Sequence, residues 1–98
     1  MKKVAVLLAN GFEEIEALTV VDVLRRAKIT CDMISISDEK VIGTHNIEVK
    51  ADKILDDKIE EYDMVVLPGG LPGADNLAQN ENVLKLLRKF NNDKTKYI

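Results

Sequence analysis

The pattern of apolar and polar positions changes period repeatedly along this chain, and each change marks an element. Val4 to Ala9 is an unbroken apolar run ending at Asn10-Gly11, as expected of a strand buried on both faces of a parallel sheet, and it is taken as the first, central strand. From Glu13 to Ala27 the period becomes helical. Ala17, Val20, Val21, Leu24 and Ala27 fall on one face, and Asp22, Arg25 and Arg26 on the other. Cys31 to Ile36 predicts a second strand. Val41-Ile42 and Ile47-Glu48-Val49, separated by Gly43-Thr44-His45-Asn46, predict a hairpin attached to one edge of the sheet. A short acidic connection through Asp56-Asp57 leads to a buried strand, Met64 to Leu67, closed by Pro68-Gly69-Gly70. After a glycine-rich bend, Asn80 is placed to cap a helix carrying Val83, Leu86, Leu87 and Phe90, with Glu81 at its positive end. Lys96-Tyr97-Ile98 begins another strand.

This alternation is that of a doubly wound α/β sheet with right-handed crossovers. The architecture is expected to be incomplete, because a final strand with no following helix leaves one face of a parallel sheet short of cover. Residues 1–98 are therefore expected to be the N-terminal portion of a single larger domain, with its C-terminal remainder as a partner.

Length and composition narrow this further. Ninety-eight residues allow one small domain at most, and 46% hydrophobic with 32% charged residues is the balance of soluble globular protein. Aromatics make up only 4%, so the core is expected to be aliphatic. The net charge is -3 and the basic residues are dispersed. Lys85, Arg88, Lys89, Lys94 and Lys96 gather toward a helix end, where they complement its dipole, so no nucleic-acid partner is expected. The single cysteine excludes an internal disulfide and suits a reducing cytoplasm. No apolar stretch approaches membrane-spanning length, and the run after Lys2-Lys3 is too short for a secretory signal, so no membrane partner is expected.

The candidate chemistry begins with Glu13, Glu14 and Glu16 in one helical turn. Carboxylates there favour the helix dipole, which suffices for Glu14. Glu16 falls beside Val20, Val23 and Ala27, on the flank of the sheet-facing stripe, and is expected to be largely buried. A buried acid must protonate, find donors or serve chemistry, and both structural and functional readings remain open. On the opposite face, Ile15 and Leu18 lie among Asp22 and Arg25. They are either ordinary exposed aliphatics or a self-complementary seam for a two-fold dimer. Pro68-Gly69-Gly70 follows a strand at the carboxyl edge of the sheet, where paired glycines can aim amide N–H groups at an oxyanion or form a plain tight turn. It has neither the P-loop ending nor the dinucleotide fingerprint. Cys31 is expected to be a structural thiol and His45 a solvated turn residue. With no second His and no metal-spaced cysteines, no metal is expected.

In combination, the strand Val4 to Ala9, the segment Gly11-Phe12-Glu13-Glu14-Ile15-Glu16-Ala17, the run Val21-Asp22-Val23-Leu24-Arg25-Arg26-Ala27 and the junction Tyr62 to Gly70 resemble the ThiJ/PfpI superfamily, in its DJ-1 branch. The resemblance covers the whole chain in order. It implies a flavodoxin-like sandwich, a homodimer, and a nucleophilic cysteine at a strand-to-helix elbow a few residues beyond the position matching Ile98. Glu16 matches the motif glutamate that hydrogen-bonds the reactive thiolate and exchanges a proton with substrate. Gly69 and Gly70 match the loop beside the nucleophile, with the Gly70 amide as the implied oxyanion donor. Arg26 and His45 match positions that bring polar groups near the dimer-related site, the latter often Arg in relatives. Cys31 does not match the nucleophile.

The activity so implied is cofactor-independent processing of small reactive aldehydes such as methylglyoxal, of the glyoxalase or protein-deglycase kind. The alternatives are a non-catalytic redox-sensing or chaperone-type stress module, since a low-pKa thiolate is readily oxidised, and, more weakly, an amidase or peptidase. These 98 residues alone are expected to be inactive and to fold poorly.

Overall fold

The structure, a computed structural model, describes residues 2–98. Four strands, β1 (Lys3–Leu8), β2 (Thr30–Ser35), β5 (Lys53–Ile54) and β6 (Met64–Val66), form a parallel sheet in the order β5-β2-β1-β6. β3 (Lys40–Ile42) and β4 (Glu48–Lys50) pair antiparallel as a separate two-stranded sheet. The helices are α1 (Glu14–Arg26), α2 (Gly73–Ala78) and α3 (Glu81–Asn92), with a 3-10 turn over Asp57–Glu61.

β1 is central, as its unbroken apolar run predicts, and its side chains divide strictly by parity. Val4, Val6 and Leu8 face α1, packing with Phe12, Ala17, Val21, Cys31 and Val41. Ala5, Leu7 and Ala9 face the other way, into a core with Val65, Leu77, Val83, Leu86 and Phe90. Both faces of β1 are therefore covered, whereas β6 is covered less fully. On β6 only Val65 is fully buried, while Met64 and Val66 on the α1 side are half-buried and Val23 of α1 is 55% exposed.

Several sequence expectations are corrected. The hairpin does not extend the sheet edge. That edge is taken by β5, too short to carry a periodic signal, and the hairpin instead lies over the α1 side, anchored by buried Val41. The acidic connection is the 3-10 turn, whose Asp56 side chain accepts from Lys58 N. The glycine-rich bend contains the six-residue α2. Tyr97 makes a single parallel bridge to Met64 rather than a strand, with Val65 N donating to Tyr97 O at 3.0 Å.

Asn80 caps α3 as expected, its Oδ1 accepting from Val83 N at 3.0 Å. Asn80→Ala in the full-length protein is expected to lower unfolding stability by about 1 kcal/mol, the worth of such a cap. An unchanged denaturation midpoint would show that the cap bond contributes nothing.

Candidate functional site

The chain leaves β1 toward α1 on one face of the sheet and leaves β6 toward α2 and α3 on the other. The loops after these adjacent strands therefore meet over a crevice at the carboxyl edge, the position where open α/β sheets place ligands. Glycines let the two loops approach backbone to backbone. Gly70 has φ +101°, and a Cβ on it would lie 2.5 Å from Glu13 N and 2.7 Å from Gly11 O. Glu13 N donates to Gly69 O at 2.9 Å and Gly73 N to Gly11 O at 3.1 Å, so the loops are stitched in register.

Glu16 stands at this seam. Its Oε1 accepts from Gly69 N at 2.8 Å, which joins the predicted acid to the predicted glycine loop. The expected burial is not found, because Glu16 is exposed. The buried positions of α1 are Glu14, Ala17 and Val21, spaced i, i+3, i+7, and Glu16 lies about 200° around the helix from Glu14. The acid in the sheet-facing stripe is therefore Glu14, 4% exposed, for which the helix dipole alone is not a sufficient account. The signal was available, since Glu14 stands one turn before Ala17. Gly70 N donates to no group among the described residues.

Glu14 is satisfied by the hairpin turn. His45 N donates to its Oε2 at 2.8 Å and Ile47 N at 3.3 Å, while His45 Nδ1 lies 2.9 Å from its Oε1. Burial disfavours the charged carboxylate, but the imidazole and the backbone donors outweigh it and hold Glu14 below the usual carboxylate range. The same hydrogen bond, with the charges of Glu14 and then Glu13, raises His45 above the ordinary histidine value. His45 does lie in the hairpin turn, yet it is paired rather than merely solvated. Glu13, Glu14 and His45 bring three potential ligand atoms within 4.8 Å of one another, although the Glu14 oxygens are already occupied by the turn.

The remaining predicted residues are dispersed. Ile15 is 74% exposed and Leu18 half-buried. Asp22 pairs with Arg26 at 3.2 Å along the helix. Arg25, expected to be available on the seam, turns back within the chain to Cys31 O at 3.0 Å and Asp52 at 2.7 Å. Cys31 is buried, and that burial pushes its thiol up, away from nucleophilic character.

A family model described as DJ-1/PfpI matches residues 2–98. The chain belongs to the DJ-1/PfpI family. Within that family it is 36% identical over 89 residues to the protein DJ-1 homolog B of Arabidopsis thaliana, covering 89% of this chain and 20% of that protein. A crystal structure of a cysteine-to-alanine variant of the DJ-1 superfamily protein STM1931 from Salmonella typhimurium superposes with a TM-score of 0.86 at 43% identity. It covers 91% of this chain and 49% of that one. Oxidized DJ-1 from Toxoplasma gondii gives 0.85 at 36%, covering 91% and 50%. The chain thus spans about half the length of these two solved family members and a fifth of the plant protein. The mostly parallel sheet with its small hairpin is the flavodoxin-like arrangement expected of the DJ-1/PfpI family. No helix among the described residues is long and apolar enough to cross a membrane.

Proposed function

We propose that residues 1–98 are the N-terminal portion of a single DJ-1/PfpI domain that processes small reactive aldehydes without a cofactor. The observation that carries this reading is the seam itself: a carboxylate, Glu16, bonded to Gly69 N at 2.8 Å, beside a Gly70 N–H that has no partner among the described residues. The nucleophile in this reading is a cysteine thiolate from the part of the protein outside these 98 residues. The half-covered side of β6, at Met64 and Val66, is where that remainder would pack.

In this scheme the thiolate sulfur attacks the aldehyde carbon of methylglyoxal, and the carbonyl oxygen gains the charge. Gly70 N–H holds that oxyanion. Glu16 then takes the proton from the former aldehyde carbon and returns it to the neighbouring carbon, leaving a thioester. Water hydrolyses the thioester to lactate and regenerates the thiol, so the sum is methylglyoxal plus water to lactate. A homodimer built on Ile15, Leu18 and Asp22 would bring Arg26 and His45 toward the paired site, and a reducing cytoplasm would keep the thiol active.

The test is lactate formation by purified, reduced full-length protein with no added cofactor. Absence of lactate would overturn the proposal, and amine release from a peptide would favour hydrolysis instead. A second reading, thiol-based redox sensing, is favoured by the relative described in an oxidized form. Conversion of one cysteine to sulfinate by dilute peroxide, without any aldehyde turnover, would select it.

A further inference from the structure

The buried acid left unused by the scheme above is Glu14, and its contacts lead back to the site. Its carboxylate takes two N–H groups of the turn, from His45 and Ile47, and its side chain fills the space that a Cβ on Gly43 would need. The turn so held touches both loops of the crevice. Thr44 N donates to Phe12 O at 2.8 Å, and Thr44 Oγ1 donates to Leu71 O at 2.9 Å, next to Gly70. The 43–47 turn is therefore a brace whose far end rests on the glycine loop.

We propose that Glu14 is a positioning residue, clasping this turn through His45, and that the protonation of His45 sets how firmly the turn braces the loop at Gly70-Leu71. The catalytic consequence rests on the aldehyde-processing reading, whereas the clasp does not. The charged groups facing His45 are Glu14 and Glu13, both from the start of α1, at 2.9 Å and 3.8 Å from its Nδ1. The braced segment, Gly69 to Gly73, contains no ionisable side chain.

The two partners work in opposite senses. His45 gains an anionic partner on folding, so its contribution is complete below its ordinary value of 6.5 and is lost as pH rises through the elevated folded value. Glu14 contributes fully above its ordinary 4.5 and loses that contribution as pH falls through its depressed folded value. The clasp is tightest between these limits and loosens on the alkaline side when His45 discharges.

The experiment is an NMR titration of full-length protein with hydrogen exchange at the His45 and Ile47 amides. Glu14→Gln is expected to return the His45 ring toward about 6.5. In the wild type, exchange at both amides, corrected for intrinsic pH dependence, is expected to accelerate about tenfold as His45 discharges, and His45→Arg should abolish that acceleration. Should Glu14→Gln not fold, His45→Gln should show the fast exchange at every pH. Flat protection across the His45 titration would overturn the clasp. For positioning, the alkaline fall of kcat/KM with methylglyoxal should follow the exchange and disappear in His45→Arg. Exchange that responds while kcat/KM does not would overturn positioning alone, and responsive exchange in a protein with no turnover would sink the activity but leave the clasp standing.

Discussion

Replacing Glu16 with Gln in the full-length protein is expected to lower methylglyoxal turnover by roughly 10²–10⁴-fold, the usual worth of a positioned acid-base group. The amide keeps an oxygen for Gly69 N, so the 2.8 Å bond and the seam should survive. What is lost is the capacity to carry a proton. The loss should therefore fall on kcat, with KM little changed and the melting temperature preserved. Glu16→Leu removes the Gly69 partner as well, and should add a fall in stability to the fall in turnover. Steady-state kinetics on both variants decide the matter. Unchanged turnover in Glu16→Gln would exclude the proton-transfer role, whatever else the seam does.

Gly70→Ala should be damaging for a different reason. Gly70 has φ +101°, and its added methyl would meet Glu13 N at 2.5 Å and Gly11 O at 2.7 Å. These are backbone atoms, so no side chain can swing aside. The strained conformation and the overpacking together should cost about 3 kcal/mol or more, and the loops after β1 and β6 would be forced apart. Because the Gly70 N–H and Glu16 sit on opposite sides of that seam, turnover should fall along with stability. Chemical denaturation and kinetics on the same sample measure both. A variant as stable as the parent would show that the seam opens easily and that the two loops are not locked.

The parts of this fold that could be read from sequence are those where one period persists. β1 announces itself as Val4 to Ala9 because both its faces are buried, and α3 because Val83, Leu86 and Phe90 recur at helical spacing behind an Asn80 cap. β5 and α2 could not be read, since two residues of strand and six of helix are set by neighbouring backbone rather than by a pattern of their own. Of the candidate site, the sequence singles out Glu16 and Gly69 separately; the 2.8 Å bond that joins them and the exposure of Glu16 are visible only in the structure. The stripe of α1 centres on Ala17 and Val21, and a shift of two residues moves an acid from core to surface. Glu14 does not stand out in the sequence, because a first-turn carboxylate has a ready explanation in the helix dipole. Its actual partners lie more than thirty residues away, in a turn whose position over α1 no local pattern specifies.

The most direct test of the central claim, that Glu16 and Gly70 address one reacting group, is a crystal structure of the full-length protein trapped with a methylglyoxal adduct. The account predicts the adduct oxygen within about 3 Å of Gly70 N and the Glu16 carboxyl within hydrogen-bond reach of the modified sulfur or its substituent. An adduct formed on Cys31, or on any group distant from the seam between the β1 and β6 loops, would contradict it.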